Sequence, residues 1–322
     1  MTDNESPKPV GKILKGLPVA KTARTRIRER LIDAAVLIES PNDPLSVLYQ
    51  HSVLCQTCLP FRDPGDDARV WERVNGGVRL KVLAGEAMHP ERGDFVPVGL
   101  PFGPKARLVL MHINQQALLS RSPCIEIEDS LTRFVRRMLK LDTGGRTIRV
   151  VKDQLSRLSA ASIRLGLVKE GRATTVTSQI VTAFDIWFPK DERQRVLWPS
   201  TVQLSLDYWE SLKTHAVPLD ETAVGALSHS ALALDIYAWL AQRLHRVPDG
   251  KEVLLAWPVL HAQFGLGYAR LRAFRRDFQV ALRQVLAVYP SARLDLDHQG
   301  MTVRNSPPPV PYQMMRVVHK PV

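Results

Sequence analysis

The stretch that decides the fold is GLGYARLRAFRRDFQVALRQVLAVYPSARLDLDHQGMTVR, residues 265–304. Its spacing predicts a helix over 269–289. At about 100° per residue, Leu271, Phe274, Phe278, Ala281, Leu282 and Val285 gather on one side. Arg272, Arg275, Arg276, Gln279 and Arg283 gather on nearly the opposite side, with Arg270 at the start of the segment. The segment holds five arginines and a single acid, Asp277. The alternating pieces RLDL (293–296) and MTVR (301–304), joined by the turn DHQG, predict a hairpin behind it. A basic helix that follows a glycine turn and precedes a hairpin has the order of a winged helix-turn-helix, with the helix in the recognition position. Arginine bonds guanine in bidentate fashion and glutamine suits adenine, so this face is a candidate base reader. The ordinary alternative is a solvated basic face. The hairpin and the charge of the whole chain favour recognition.

Working outward, residues 228–247 predict a long helix with Ala233, Ile236, Leu240 and Leu244 on its core side. A strand over 252–257 and a short helix over 258–264 complete the unit. The same order recurs upstream. A buried helix is expected over 106–120, an alternating piece around Ile125 and Ile127, and a helix over 131–140. Another helix over 146–161 carries the stripe Ile148, Val151, Leu155 and Leu158, and β-rich runs around 163–169 and 173–188 flank KEGR. On this first unit Arg146, Arg149, Lys152 and Arg157 are the candidate DNA contacts. Asp153 and Ser156 share their face, so its mixed sign suits phosphates or a protein partner better than dense base reading. Basic clusters at Arg24, Arg26, Arg28 and Arg30, and at Arg133, Arg136, Arg137 and Lys140, are further candidates for phosphate contact.

The expected fold class is α+β and helix-rich, built as tandem winged helix-turn-helix domains. The expected organisation has five parts. They are a mobile tail (1–20), N-terminal helices and irregular strands packed on the first domain (21–98), and a first winged-helix domain with a linker helix (99–215). A second winged-helix domain (216–306) and a Pro-rich tail (307–322) follow. Helix 21–39 and short strands at 78–83 and 94–98 are the elements expected early in the chain. A stripe of Val202, Leu204, Leu206, Trp209 and Leu212 suggests a stiff helix joining the two domains.

A length of 322 residues fits about two domains. With 44 Lys+Arg against 32 Asp+Glu, the net charge of +12 points to a polyanion such as nucleic acid. No apolar run reaches the roughly 18 residues of a membrane helix. The first residues lack the apolar core of a signal peptide, so the expected location is the cytoplasm. Three cysteines are too few for a disulfide framework.

Enzyme signatures are missing from the sequence. It has no GxxxxGK[ST], HExxH or GxSxG motif, and no paired histidines of a replication nickase, so no catalytic residue is assigned. His51, Cys55 and Cys58 have metal-like spacing, but a closed zinc site needs a fourth ligand. The favoured reading is a short buried helix holding Leu48, Val53, Leu54 and Cys55, with Cys58 near its end. No metal or cofactor is expected.

The runs HSVLCQTCLPFRDP (51–64), GLPFGPKARLVLMHINQQA (99–117), LDTGGRTIRVVKDQLSRLSAASIRLG (141–166) and IYAWLAQRLHRV (236–247) resemble the RepA-type replication initiators of broad-host-range bacterial plasmids. The resemblance runs from about residue 24 to 300. Cys58 departs from it, standing where glycine is expected. It implies tandem winged-helix units that bind double-stranded DNA at direct repeats, the iterons of a plasmid origin. It also implies opening of an AT-rich stretch, contact with the host initiator and replicative helicase, copy control, and a homodimer exchanging with an origin-active monomer. A sequence-specific transcriptional repressor is the alternative, and an origin-nicking enzyme a more distant one.

Overall fold

The computed structural model describes residues 23–40, 46–88, 93–126, 133, 145–169, 172–179, 181–183 and 201–311. In chain order the elements are α1 (Ala23–Glu39), β1 (Val47–His51), α2 (Ser52–Gln56), β2 (Val70–Asn75), β3 (Val78–Leu83), β4 (Glu86–Met88), β5 (Phe95–Pro97), α3 (Gly103–Ser120) and β6 (Cys124–Glu126). They continue with α4 (Gly145–Ala160), β7 (Ser162–Lys169), β8 (Arg172–Gln179), β9 (Val181–Ala183), β10 (Thr201–Leu204), α5 (Leu206–His215), β11 (Ala216–Asp220) and α6 (Glu221–Leu227). The last are α7 (Ala231–Arg243), β12 (Glu252–Ala256), α8 (Trp257–Phe264), α9 (Leu271–Val288), β13 (Leu294–Leu296) and β14 (Gly300–Arg304). The mixture of helix and sheet is α+β. The expected helix over 131–140 and the turns before α4 and between β7 and β8 lie outside the described residues, as do the tail 1–20 and all but the start of the tail 307–322.

Two compact units divide the chain. One holds the described residues up to Val47 together with those from Pro218 onward, and the other holds Leu48–Val217. Helix α1 therefore belongs with the C-terminal elements, whereas the expected grouping placed residues 21–98 on the first domain. The reason is packing. Leu31, Ala34 and Ala35 are buried on α1, which lies against α6 and α9, and Arg30 donates to the Ser228 hydroxyl at 3.2 Å.

In this C-terminal unit the three-stranded sheet runs β12–β14–β13, wholly antiparallel, with Leu254 opposite Thr302 and Leu296 opposite Met301. Ser230 begins α7 by accepting from the Ala233 amide at 3.2 Å, which satisfies one of the orphan donors of a helix start. Below the sheet and helices lies an aromatic core. Trp257 meets Phe278 edge-on at 5.9 Å, Trp239 meets Phe264 at 5.3 Å, and Phe274 and Phe278 sit 5.4 Å apart. Four of the six expected core positions on α9, Phe274, Phe278, Leu282 and Val285, are fully buried and Ala281 nearly so. Leu271 instead is exposed in the first turn, beyond the reach of this core.

In the unit of 48–217, α3 is buried on almost every side. Its Arg107 holds the preceding loop, donating to the carbonyls of Leu59 at 2.8 Å and Pro60 at 3.2 Å beneath the Phe61 ring. Asn114 donates to the Tyr49 carbonyl at 3.1 Å and accepts from the Tyr208 hydroxyl at 2.9 Å. Burial raises that phenol well above its ordinary value. On α4, Val151, Leu155 and Leu158 form the expected buried stripe.

Two expectations for this unit change. The hairpin β7–β8 does not stand alone, because β3 pairs along β7 and a four-stranded antiparallel sheet β2–β3–β7–β8 results. Strand β2 joins β3 through the Gly76–Gly77 turn, where Gly76 takes φ 55, a left-handed value that suits glycine in a two-residue hairpin. The supposed linker helix is also two elements. Val202 and Leu204 are buried in strand β10, where alternation beats helical spacing, and Ser205 then caps α5 by accepting from the Tyr208 amide. Helix α5 lies inside this unit and is no linker.

Candidate nucleic-acid interface

Helix α9 presents its arginines unequally. Ala269, Arg270, Leu271, Arg272 and Arg276 are exposed, whereas the stretch from Ala281 to Tyr289 is mostly buried against neighbouring helices. The outward region is thus the first two turns, the part of a recognition helix that meets base edges. Arg270 precedes the helix without a side-chain cap, which leaves the first-turn amides open to an anion. Arg276 donates from Nε to Asp277 at 2.9 Å, and the Tyr268 hydroxyl donates to the other carboxylate oxygen at 3.2 Å. With the Arg276 side chain 74% exposed, this ion pair is weak. Gln279 and Arg283 follow on the same stripe, half-buried.

Arg275 is placed differently. Its guanidinium lies on the Trp257 ring, 4.9 Å from the centroid, and donates to the His298 carbonyl at 3.3 Å. Trp257 in turn donates from Nε1 to the Asp297 carbonyl and from its amide to the Gln299 carbonyl, each at 3.1 Å. Arg275 and Trp257 thereby hold the hairpin turn 297–299 beside α9. Asp297 tightens that turn by accepting from the amides of Gln299 and Gly300 at 2.7 and 2.9 Å. Sequence reasoning treated Arg275 as one more base reader and missed Trp257. The available signal was an aromatic before Pro258 at a helix start.

On α4 the candidates separate likewise. Arg149 is exposed and Lys152 half-buried. The side chain of Arg146 lies outside the described residues, as does that of Arg24. Arg157 is occupied: its Nε donates to both Asp153 oxygens, at 3.1 and 3.0 Å, its Nη1 to the Leu100 carbonyl at 3.3 Å, and it covers the Phe102 ring at 5.0 Å. The mixed face read from the sequence is therefore largely an internal pair. Arg26 and Arg28 are exposed on α1.

The comparisons agree with the sequence pattern. Residues 100–258 match the family described as plasmid encoded RepA protein. This stretch is similar to the RepA family. The resemblance read from residues 99–117, 141–166 and 236–247 is borne out on the same stretch. The RepA match spans α3 to the first turn of α8 and ends before α9, so the candidate base-reading helix lies past its limit. No curated protein matches the chain by sequence. Among solved structures, crystals of domains 2 and 3 of RctB are similar at 8% identity, with a TM-score of 0.49 over 86% of this chain and 98% of that one. A second RctB domain 2–3 structure gives 0.47 at 8% identity, over 78% and 94%.

The His51 region is a buried, hydrogen-bonded segment. Leu48 lies in strand β1 rather than the expected helix, while Val53, Leu54 and Cys55 are buried in α2 and Cys58 just after it. His51 Nδ1 accepts from the Val53 amide at 3.2 Å, so the proton sits on Nε2, which faces the Ser211 hydroxyl at 2.9 Å. A base for Ser211 would need that nitrogen unprotonated. Burial, helped by His215, lowers the His51 imidazole to about 3. Among the described residues no group of three metal-ligating side chains comes together, and no helix is long and apolar enough to cross a membrane.

Proposed function

We propose that this RepA-type protein is a cytoplasmic plasmid replication initiator that binds direct repeats at an origin, promotes local opening and recruits host replication proteins without catalysis of its own. The observation that carries the reading is the outward first half of α9, with Arg270, Arg272 and Arg276 exposed beside an anchored hairpin. Strand order β12–β14–β13 around α8 and α9 supports a winged helix-turn-helix in the C-terminal unit. The unit of 48–217 repeats the helix–helix–hairpin order. On this reading it positions the protein on the phosphates while the C-terminal unit reads bases.

Footprinting the purified protein on its parent replicon tests this. Protected direct repeats next to an AT-rich segment are expected. A single protected promoter site without repeats would make the chain a repressor instead. Purified protein is expected neither to hydrolyse ATP nor to nick supercoiled DNA, and turnover abolished by a point substitution would contradict that.

A further inference from the structure

The sheet β2–β3–β7–β8 has an inner and an outer face. Leu80 and Val82 on β3 sit opposite Leu165 and Ile163 on β7, and all four are buried. The residues between them point the other way. Lys81 stands directly opposite Arg164, and Arg79 opposite Gly166. Arg79 and Arg164 are exposed and Lys81 is half-buried.

Like charges directly opposite on a sheet repel and cost stability. Glu72, opposite Lys81 on β2, pairs with that lysine and offsets one charge. Arg79 spends its guanidinium only on the backbone carbonyls of Gly76 and Val78, at 2.5 and 3.1 Å, so its charge is not balanced. Arg164 has no ion-pair partner among the described residues. Gly166 leaves the space that Arg79 crosses, since a Cβ there would stand 3.1 Å from Arg79 Cβ. Two uncompensated arginines on adjacent strands, flanking a glycine gap, suit a run of phosphates. Among the described side chains the face offers no aromatic on which bases would stack, so backbone contact fits better than single-strand binding.

We propose that this outer sheet face is a sequence-independent contact to the phosphate backbone of duplex DNA, made by Arg79 and Arg164 with Lys81 beside them. The inference rests on the DNA-binding reading above but concerns residues outside both candidate helices. An acidic protein partner is the competing occupant.

The test is fluorescence anisotropy of the full chain on a labelled mixed-sequence duplex over a salt series, for the parent, Arg79→Gln/Arg164→Gln and Arg164→Glu. The double variant is expected to weaken binding and to lower the slope of log K against log salt by about 0.9 for each phosphate it no longer neutralises. Arg164→Glu faces Lys81 and is expected to keep or raise the unfolding midpoint while still weakening DNA binding. Folded variants with the parent slope would overturn the sheet contact and leave the DNA-binding reading standing. A parent chain with no salt-dependent duplex binding would overturn both.

Discussion

The guanidinium of Arg275 lies 4.9 Å from the Trp257 ring centroid and donates to the backbone of His298. A cation desolvated on an indole is a packing element, and this one joins the helix to the hairpin turn. It separates the arginines of α9 into those that hold the unit together and those that face outward.

Replacing Arg275 by Ala should therefore lower stability by about 0.5–2 kcal/mol, the worth of the cation–π contact. Arg272→Ala or Arg276→Ala should leave the melting temperature within experimental spread. Each should cost about 1–3 kcal/mol on the specific repeat if the side chain reads a base. Thermal melts beside gel shifts on specific and scrambled repeats check this. Equal losses on both DNAs would make Arg272 and Arg276 phosphate contacts only.

Arg157 should behave like Arg275. Its Ala variant loses an ion pair to Asp153 and the cover of Phe102, together about 1–2 kcal/mol. The salt slope of DNA binding should not change. A slope lower by about 1 would return Arg157 to the phosphate-contacting set.

Burial of α1 predicts an effect across the sequence. Leu31 is fully buried, so Leu31→Ala should cost about 2–5 kcal/mol. Hydrogen exchange should show the loss in α9, which α1 packs against, and not in α4 of the other unit. A fragment of residues 216–311 lacks α1. It should be less stable than one in which residues 21–46 are linked to its N-terminus, and should select the specific repeat less tightly.

Acid should weaken the unit of 48–217 through His51. The unfolded imidazole takes a proton near its ordinary 6.5, while the folded one resists until about 3. The unfolded state thus binds more protons between these values. The contribution is complete above 6.5 and falls as pH drops, at about 1.4 kcal/mol per pH unit. Urea midpoints between pH 7 and 5 should show a shallower dependence for His51→Gln, and an unchanged dependence would exclude His51 as the source.

Much was legible in the sequence because helical and strand periods are local properties. The stripe Phe274–Phe278–Leu282–Val285 placed α9, Val151–Leu155–Leu158 placed α4, and the alternation around DHQG placed the last hairpin. The charge of +12 and the RepA-type runs pointed to a plasmid protein that handles DNA. Tertiary structure decided what each face meets. Periodicity says that Arg275 and Arg276 both lie off the core stripe, but only the fold brings Trp257 and His298 under one and leaves the other exposed. In the same way α1 shows an apolar stripe without naming α6 and α9 as its partners, and β7 shows alternation without showing that β3 would cover its edge. These partners come from distant parts of the chain. Burial of apolar surface and pairing of strand edges choose among them, and those terms exist only once the chain has closed on itself.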